Sequence, residues 1–421
     1  MAKTNNLTDF LADLANAIRE KEGSTEAINP QTFSTRILAL ETGGSGGGGG
    51  GSATAAIPSK AVNFRDYDGA VLFSYTKEDF LALSELPPLP TQKGLICQEW
   101  NWSLAEAKSY VQNFGTLDIG CNYITDDGKT RLYITISVSG RMDVPLYFSQ
   151  TAANGVVVDW GDGSGTETFE ATGIITTTHL YNKVGDFIIT LKPTDGCVLG
   201  LGDVTTNSCV LGATSTKPYS NMLRKVEIGN NMSAIDNYAF NYCYSLKTIS
   251  VPKNCLTFGI SAFNYCYSLD SIVLPNGVSL GTSCFNYCYG LTYCISGSNT
   301  TNIAGSVFNY CYGLSSFVIP PNITTIEKVF YSCYGLIRIN VPASVASIKS
   351  QAFYYCTGMK VYDFRYHTKV PSLAATSGFS SIPADCKIVV PDNLYNSWKS
   401  ATNWSNSAIV DRIIKASEFN G

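Results

Sequence analysis

The phrase AFNYCYSL stands at residues 239–246 and recurs letter for letter at 262–269. It returns as CFNYCYGL at 284–291, VFNYCYGL at 307–314, VFYSCYGL at 329–336 and AFYYCTGM at 352–359. Its aromatic, at Phe240, Phe263, Phe285, Phe308, Phe330 and Phe353, repeats at intervals of 23, 22, 23, 22 and 23. Cys243, Cys266, Cys288, Cys311, Cys333 and Cys356 lie three residues on, and Leu246, Leu269, Leu291, Leu314, Leu336 and Met359 lie six on. An apolar strand often ending in Pro follows, as in TISVP (248–252) and SIVLP (271–275). A unit this short cannot bury its apolar side alone. Stacked copies share one continuous core, Phe on Phe, Cys on Cys and Leu on Leu, with strands about 4.8 Å apart in a parallel ladder.

This spacing turns Phe, Cys and Leu inward. The residues between them are expected to face out or lie along an edge. They are Asn241, Tyr242, Tyr244, Asn264, Tyr265, Tyr267, Asn286, Tyr287, Tyr289, Asn309, Tyr310, Tyr312, Tyr331, Tyr334, Tyr354 and Tyr355. No charged residue lies between Asp270 and Glu327, so this is not an ordinary solvated face. A Tyr/Asn/Ser/Gly surface has the composition of a paratope, rigid aromatic area beside small adaptable polar groups. Aromatic platforms suit sugar rings, and a chargeless face suits neutral polymers. The plainer reading is that rows of tyrosine stack along the solenoid and stabilise it. The asparagines favour binding, because stacking does not require them.

The outward letters, Asn, Tyr, Ser, Thr and Gly, are joined by changes at the adenines of an AAY codon. Diversity-generating retroelements leave that pattern in phage receptor-binding proteins, and drift among repeats leaves it too. The column of cysteines reads as buried, reduced thiols rather than disulfides or a metal site. Cys284 and Cys288 lack a second Cys pair and a nearby His, so zinc is not expected. The chain has two histidines, His179 and His367, too few for a histidine-rich metal centre. No cofactor is expected.

The repeated phrase resembles the BspA-type leucine-rich repeat, with its pattern AFxxCxxLxxIxxP, over about residues 223–366. The resemblance implies a curved solenoid that binds other macromolecules. It brings no catalytic residues.

Composition narrows the rest. The net charge of −4 and the 15% charged residues argue against nucleic acid and anionic membranes as partners. No stretch reaches the roughly 18 apolar residues of a membrane span, so no membrane insertion is expected. The start MAKTNNLTDFLADLANAIRE lacks the basic-then-apolar pattern of a secretory signal, so folding in a reducing cytosol is expected.

The whole reads as a multidomain α+β chain. Residues 1–42 form a helical attachment or oligomerisation segment, with Leu7, Leu11, Leu14 and Ile18 as one stripe and a second short helix near 30–40. Residues 43–56 are a Gly/Ser-rich linker. Residues 57–138 form a small α/β domain, with a hairpin about Asp68–Gly69 and a helix at 103–114 capped by Ser103 and Glu106. Residues 139–195 are a β-sandwich, 196–222 a connector, 223–366 the solenoid of six repeats, and 367–421 a helical C-terminal cap ending in a helix over SAIVDRIIKASEF (407–419).

In the sandwich, Val158-Asp159-Trp160-Gly161-Asp162-Gly163 precedes His179, Tyr181, Gly185 and Phe187. This order resembles the PKD (polycystic kidney disease) domain, an immunoglobulin-like module, and implies a spacer or binding unit. Asp159 and Asp162 read as turn carboxylates rather than calcium ligands.

Two further stretches, LADLANAIREKEGSTEAINPQTFSTRILAL (11–40) and GLICQEWNWSLAEAKSYVQNFGTLDIGCNYITDDGKTRLYI (94–134), resemble bacteriophage tail and baseplate proteins. They imply a virion tail protein, assembled in the host cytoplasm and attached through its N-terminus to other tail proteins. A homo-oligomer that binds a bacterial surface glycan or protein through the Tyr/Asn face is then expected, with avidity from several copies. The alternatives are a BspA-like bacterial surface adhesin and a purely structural virion component. Catalysis is not expected: a glycosidase needs two carboxylates in one cleft, and residues 271–326 hold no acid at all.

Overall fold

The computed structural model describes residues 61–137, 141–212 and 218–419. The helices expected at 5–20 and 30–40, and the linker at 43–56, lie outside the described residues.

β1 (Ala61–Arg65) and β2 (Val71–Thr76) form the expected hairpin, closed where Gly69 takes a left-handed φ of +90°. α1 (Lys77–Ala82), β3 (Thr91–Gln92), β4 (Leu95–Trp100), α2 (Leu104–Phe114) and β5 (Leu117–Thr125) follow. The five strands order as β2-β1-β5-β4-β3. α2 starts where its capping box predicts: Ser103 Oγ accepts from the Glu106 amide, and the Glu106 carboxylate accepts from the Ser103 amide.

Two facing sheets come next, from β6 (Thr130–Ile136), β7 (Asp143–Gln150), β8 (Val156–Asp159), β9 (Thr166–Thr168), β10 (Gly173–Leu180), β11 (Gly185–Pro193) and β12 (Leu199–Leu201). One sheet runs β10-β7-β12. The other runs β6-β11-β8-β9 and continues through β13 (Leu223–Glu227) into strand 248–250 of the first repeat.

Two expected divisions therefore shift. β6 falls within the expected 57–138 domain, yet it bonds to β11 and β13. The connector 196–222 is structured: β12 pairs with β7, and the Val210 amide donates to Ala239 O at 2.9 Å. One apolar core runs from the two sheets into the solenoid. The physical reason is the edge of the first turn. β13 is parallel to 248–250 and antiparallel to β6, so β6 satisfies backbone groups that a free solenoid end would leave open.

The solenoid has two rows of short parallel strands. One row contains 248–250, 271–273, 293–295, 338–340 and 361–363, and the other runs from 234–235 to 372–373. Between them the six repeat phenylalanines stack with centroids 5.2–5.8 Å apart. The ladder passes residue 366: Tyr362 pairs with Ile388, and Ile388 with Ile413. α3 (Tyr395–Ser400) forms in the cap. The segment 407–419 is helical over α4 (Ser407–Val410), but Ile413–Lys415 is a strand. Its β-branched pair Ile413 and Ile414 adds one more rung, which outweighs the helical period expected there.

Candidate functional site

Each repeat phrase bends the backbone through the left-handed region two residues after its Phe. Tyr242, Tyr265, Tyr287 and Tyr310 sit at φ of 60°, 63°, 60° and 60°. That conformation costs a side-chain-bearing residue roughly 1–2 kcal/mol, and Gly or Asn adopts it more cheaply. Hydrogen bonds between turns hold it, such as Tyr265 N–H to Asn286 O at 2.9 Å and Tyr287 N–H to Asn309 O at 2.8 Å.

The bend aligns these tyrosines in an outer column. Neighbouring rings stack at 4.7, 4.6 and 4.5 Å, with planes within 8°. Tyr244, Tyr267, Tyr289, Tyr312 and Tyr334 form an inner column with centroids 4.6–4.8 Å apart. Within a turn the columns meet edge to face, as for Tyr287 and Tyr289 at 6.0 Å and 89°. Tyr331 and Tyr354 occupy the position one residue after Phe, so Tyr331 breaks the outer column, tilted 57° to Tyr310. Tyr355 is exposed.

Three expectations change here. Tyr244, Tyr267 and Tyr289 are buried, not outward. The asparagines turn in: Asn241 and Asn309 are buried, Asn264 Nδ2 donates to Asn241 Oδ1 at 3.3 Å, and the Oδ1 atoms of Asn264, Asn286 and Asn309 are buried without a hydrogen-bond partner. The ring faces are covered by neighbouring rings, so the strip offers edges and phenol oxygens rather than open platforms. The left-handed bend at Tyr242, Tyr265, Tyr287 and Tyr310 breaks the regular side-chain alternation of an extended chain, on which the outward assignment depends. Burial pushes the Tyr267, Tyr289 and Tyr312 phenols well above the ordinary range, so they remain neutral hydrogen-bond donors at physiological pH.

The row of strands through 248–250, 271–273 and 293–295 is covered. The Asn101 side chain donates to Leu274 O and Ile295 O, each at 3.1 Å, and accepts from the Gly120 amide at 2.9 Å. Trp102 Nε1 donates to Ser296 O at 2.8 Å, and Asn122 Nδ2 donates to Val251 O at 3.2 Å. Further along, Tyr366 Oη donates to Asn113 O at 2.6 Å. The α/β unit thus lies along several turns. A cleft of about 440 Å³ opens between its hairpin and the solenoid, lined in part by Arg65, Asp68, Asp270 and Tyr293, with the Arg65 guanidinium 3.8 Å above the Tyr293 ring. Sequence reasoning missed this packing. The only local trace was three uncharged polar or aromatic residues, Asn101, Trp102 and Asn122, whose long-range partners carry no pattern.

All fourteen cysteines are thiols. Asp159 Oδ1 accepts from the Gly161 amide and Asp162 Oδ1 from the Ser164 amide, both at 2.9 Å, so both carboxylates close turns. Ser164 and His179 hold the Asp162 carboxyl well below its usual range. Among the described residues no group of three His, Cys, Asp or Glu is placed to hold a metal ion.

Residues 233–360 and 279–382 match the BspA type leucine rich repeat region, in six copies. Among solved structures, the chain is similar to a T. pallidum leucine rich repeat protein, at 20% identity over 45% of this chain and 84% of that one, with a TM-score of 0.35. It is similar to a leucine rich cell surface protein of Faecalibacterium prausnitzii A2-165, at 20% identity over 44% and 62%, with a TM-score of 0.24. It is also similar to a leucine-rich repeat protein of Bacteroides ovatus ATCC 8483, at 18% identity over 48% and 68%, with a TM-score of 0.26. No curated protein matches. The repeats that stack to form this solenoid are BspA-type leucine-rich repeats.

Proposed function

We propose that this chain is an adhesion protein of the BspA-like kind, and that its outer tyrosine column contacts a glycan or protein on a cell surface. One observation carries the reading: four successive tyrosines are kept in a backbone conformation that Asn or Gly would adopt at lower cost. Residues 271–326 around Tyr287 and Tyr310 carry no charge, and the α/β unit's hydrogen bonds to this part of the solenoid go to other residues, at Val251, Leu274, Ile295 and Ser296. The reading is one of binding without catalysis, and it needs no cofactor.

The test is labelling of a panel of bacterial cells by the full chain and by a Tyr265→Asn/Tyr287→Asn/Tyr310→Asn variant. Asn suits the left-handed bend, so the fold is retained. Labelling of particular strains by the first and not the second supports the proposal. Equal labelling by both overturns it.

A second reading places the same surface on a phage tail, with residues 1–42 as the attachment. The resemblance of 94–134 to tail and baseplate proteins supports it. Immunogold labelling separates the two settings: gold on the cell envelope favours the adhesin, and gold on particle tails favours the virion.

A further inference from the structure

Inside the solenoid five of the six repeat thiols have a carbonyl acceptor in the turn before them. Cys266 Sγ lies 3.2 Å from Phe240 O, and Cys288, Cys311, Cys333 and Cys356 Sγ lie 3.1 Å from the corresponding Phe263, Phe285, Phe308 and Phe330 oxygens. Cys243 opens the column, and no repeat phrase precedes it. Its Sγ instead meets Cys209 Sγ at 4.0 Å. Cys209 belongs to the segment that caps the first turn, beside the bond from the Val210 amide to Ala239 O. Both cysteines are fully buried, at 1% and 0% exposure. Backbone bonding fixes the two segments side by side, so the sulfurs need only a short closing movement to join.

We propose that Cys209 and Cys243 form a disulfide that staples the capping segment to the first repeat when the chain meets an oxidising medium. The oxidant is a small disulfide such as oxidised glutathione. One cysteine thiolate attacks it, forming a mixed disulfide and expelling one glutathione thiolate. The second cysteine thiolate attacks the protein sulfur of that mixed disulfide. The protein S–S bond forms and the second glutathione leaves. Two cysteine thiols lose two electrons and two protons, and one glutathione disulfide becomes two thiols. The contact with Cys209 and burial push the Cys243 thiol up, so the exchange proceeds as the capped end opens or during folding. The bond links residues 34 apart and restrains the unfolded chain accordingly.

The full chain, purified reduced, is incubated with oxidised glutathione, alkylated under denaturing conditions and digested without reduction. The expected result is one new protein disulfide, joining the peptides of Cys209 and Cys243, with the other buried cysteines alkylated and the half-buried Cys97 either alkylated or carrying glutathione. Tm should rise by a few degrees and fall back with dithiothreitol. A Cys209→Ser variant should show neither bond nor shift. If that variant does not fold, the peptide map of the unaltered chain decides. No bond, a bond at Cys97–Cys121 on neighbouring strands β4 and β5 instead, or a Cys209–Cys243 bond without a gain in Tm would each overturn the proposal.

Discussion

The Cys288 thiol donates to the carbonyl oxygen of Phe263, one turn earlier, at 3.1 Å. The same oxygen accepts the Cys266 amide at 3.0 Å. Cysteine at this position is therefore a small apolar filler with one directed donor, which explains its recurrence without disulfide or metal. Cys288→Ala removes the donor and leaves a small void. A loss of about 1–2 kcal/mol is expected in urea denaturation, from one weak hydrogen bond and incomplete packing.

Thiol chemistry should divide the cysteines sharply. Cys97 alone is half-buried, and the other thirteen are buried. Burial pushes Cys255 and Cys386 up to about 12, and Cys288 and Cys356 higher still. A thiol reagent at neutral pH should label one cysteine rapidly in the folded chain and all fourteen in denaturant. Fast labelling within the repeats would contradict the column.

Asn101 is the pin between the α/β unit and the solenoid. It is fully buried, and its side chain makes three hydrogen bonds. Asn101→Ala strands the Gly120 amide and weakens two carbonyls, at a cost of about 2–4 kcal/mol. Gly120→Ala attacks the same seam by steric means, since its Cβ would stand 2.6 Å from both Val273 methyl carbons. Both variants should expose the covered strands to hydrogen exchange while the tyrosine columns stay protected.

The two tyrosine columns should respond differently. Tyr289 is buried at 3% exposure, and Tyr289→Ala should cost about 3 kcal/mol or more. Tyr287→Asn loses two stacked neighbours, at about 0.5–1.5 kcal/mol each, and regains part of that through a relaxed backbone, for a net loss near 1 kcal/mol. Denaturation midpoints check the order. If Tyr287→Asn is the more damaging, the outer column is structural and the binding proposal weakens.

His367 makes the fold sensitive to acid. Burial between Phe364 and Trp398 holds its imidazole below the usual histidine value. The unfolded chain then binds the proton more readily. The stabilising contribution is complete above the unfolded pKa, near 6.5, and is lost as pH falls through the lower folded value. Tm measured from pH 8 down to pH 5 should fall, and His367→Gln should flatten that slope.

The period of 22–23 residues at Phe240, Phe263 and their successors was enough to define stacked turns and the inward Phe, Cys and Leu. These are local facts: each turn contacts its neighbours, so a repeated letter dictates a repeated contact. The capping box of α2 and the β1–β2 hairpin were legible for the same reason. The direction of the residues between Phe and Cys was not. It follows from a left-handed bend that tyrosine would not adopt alone and that hydrogen bonds between turns enforce. The capture of β6 by the solenoid edge and the clasp of Asn101 on strands more than 170 residues away were also decided by tertiary structure. Edge strands and buried amides take whatever partner satisfies them, and that partner leaves no periodic trace in the chain.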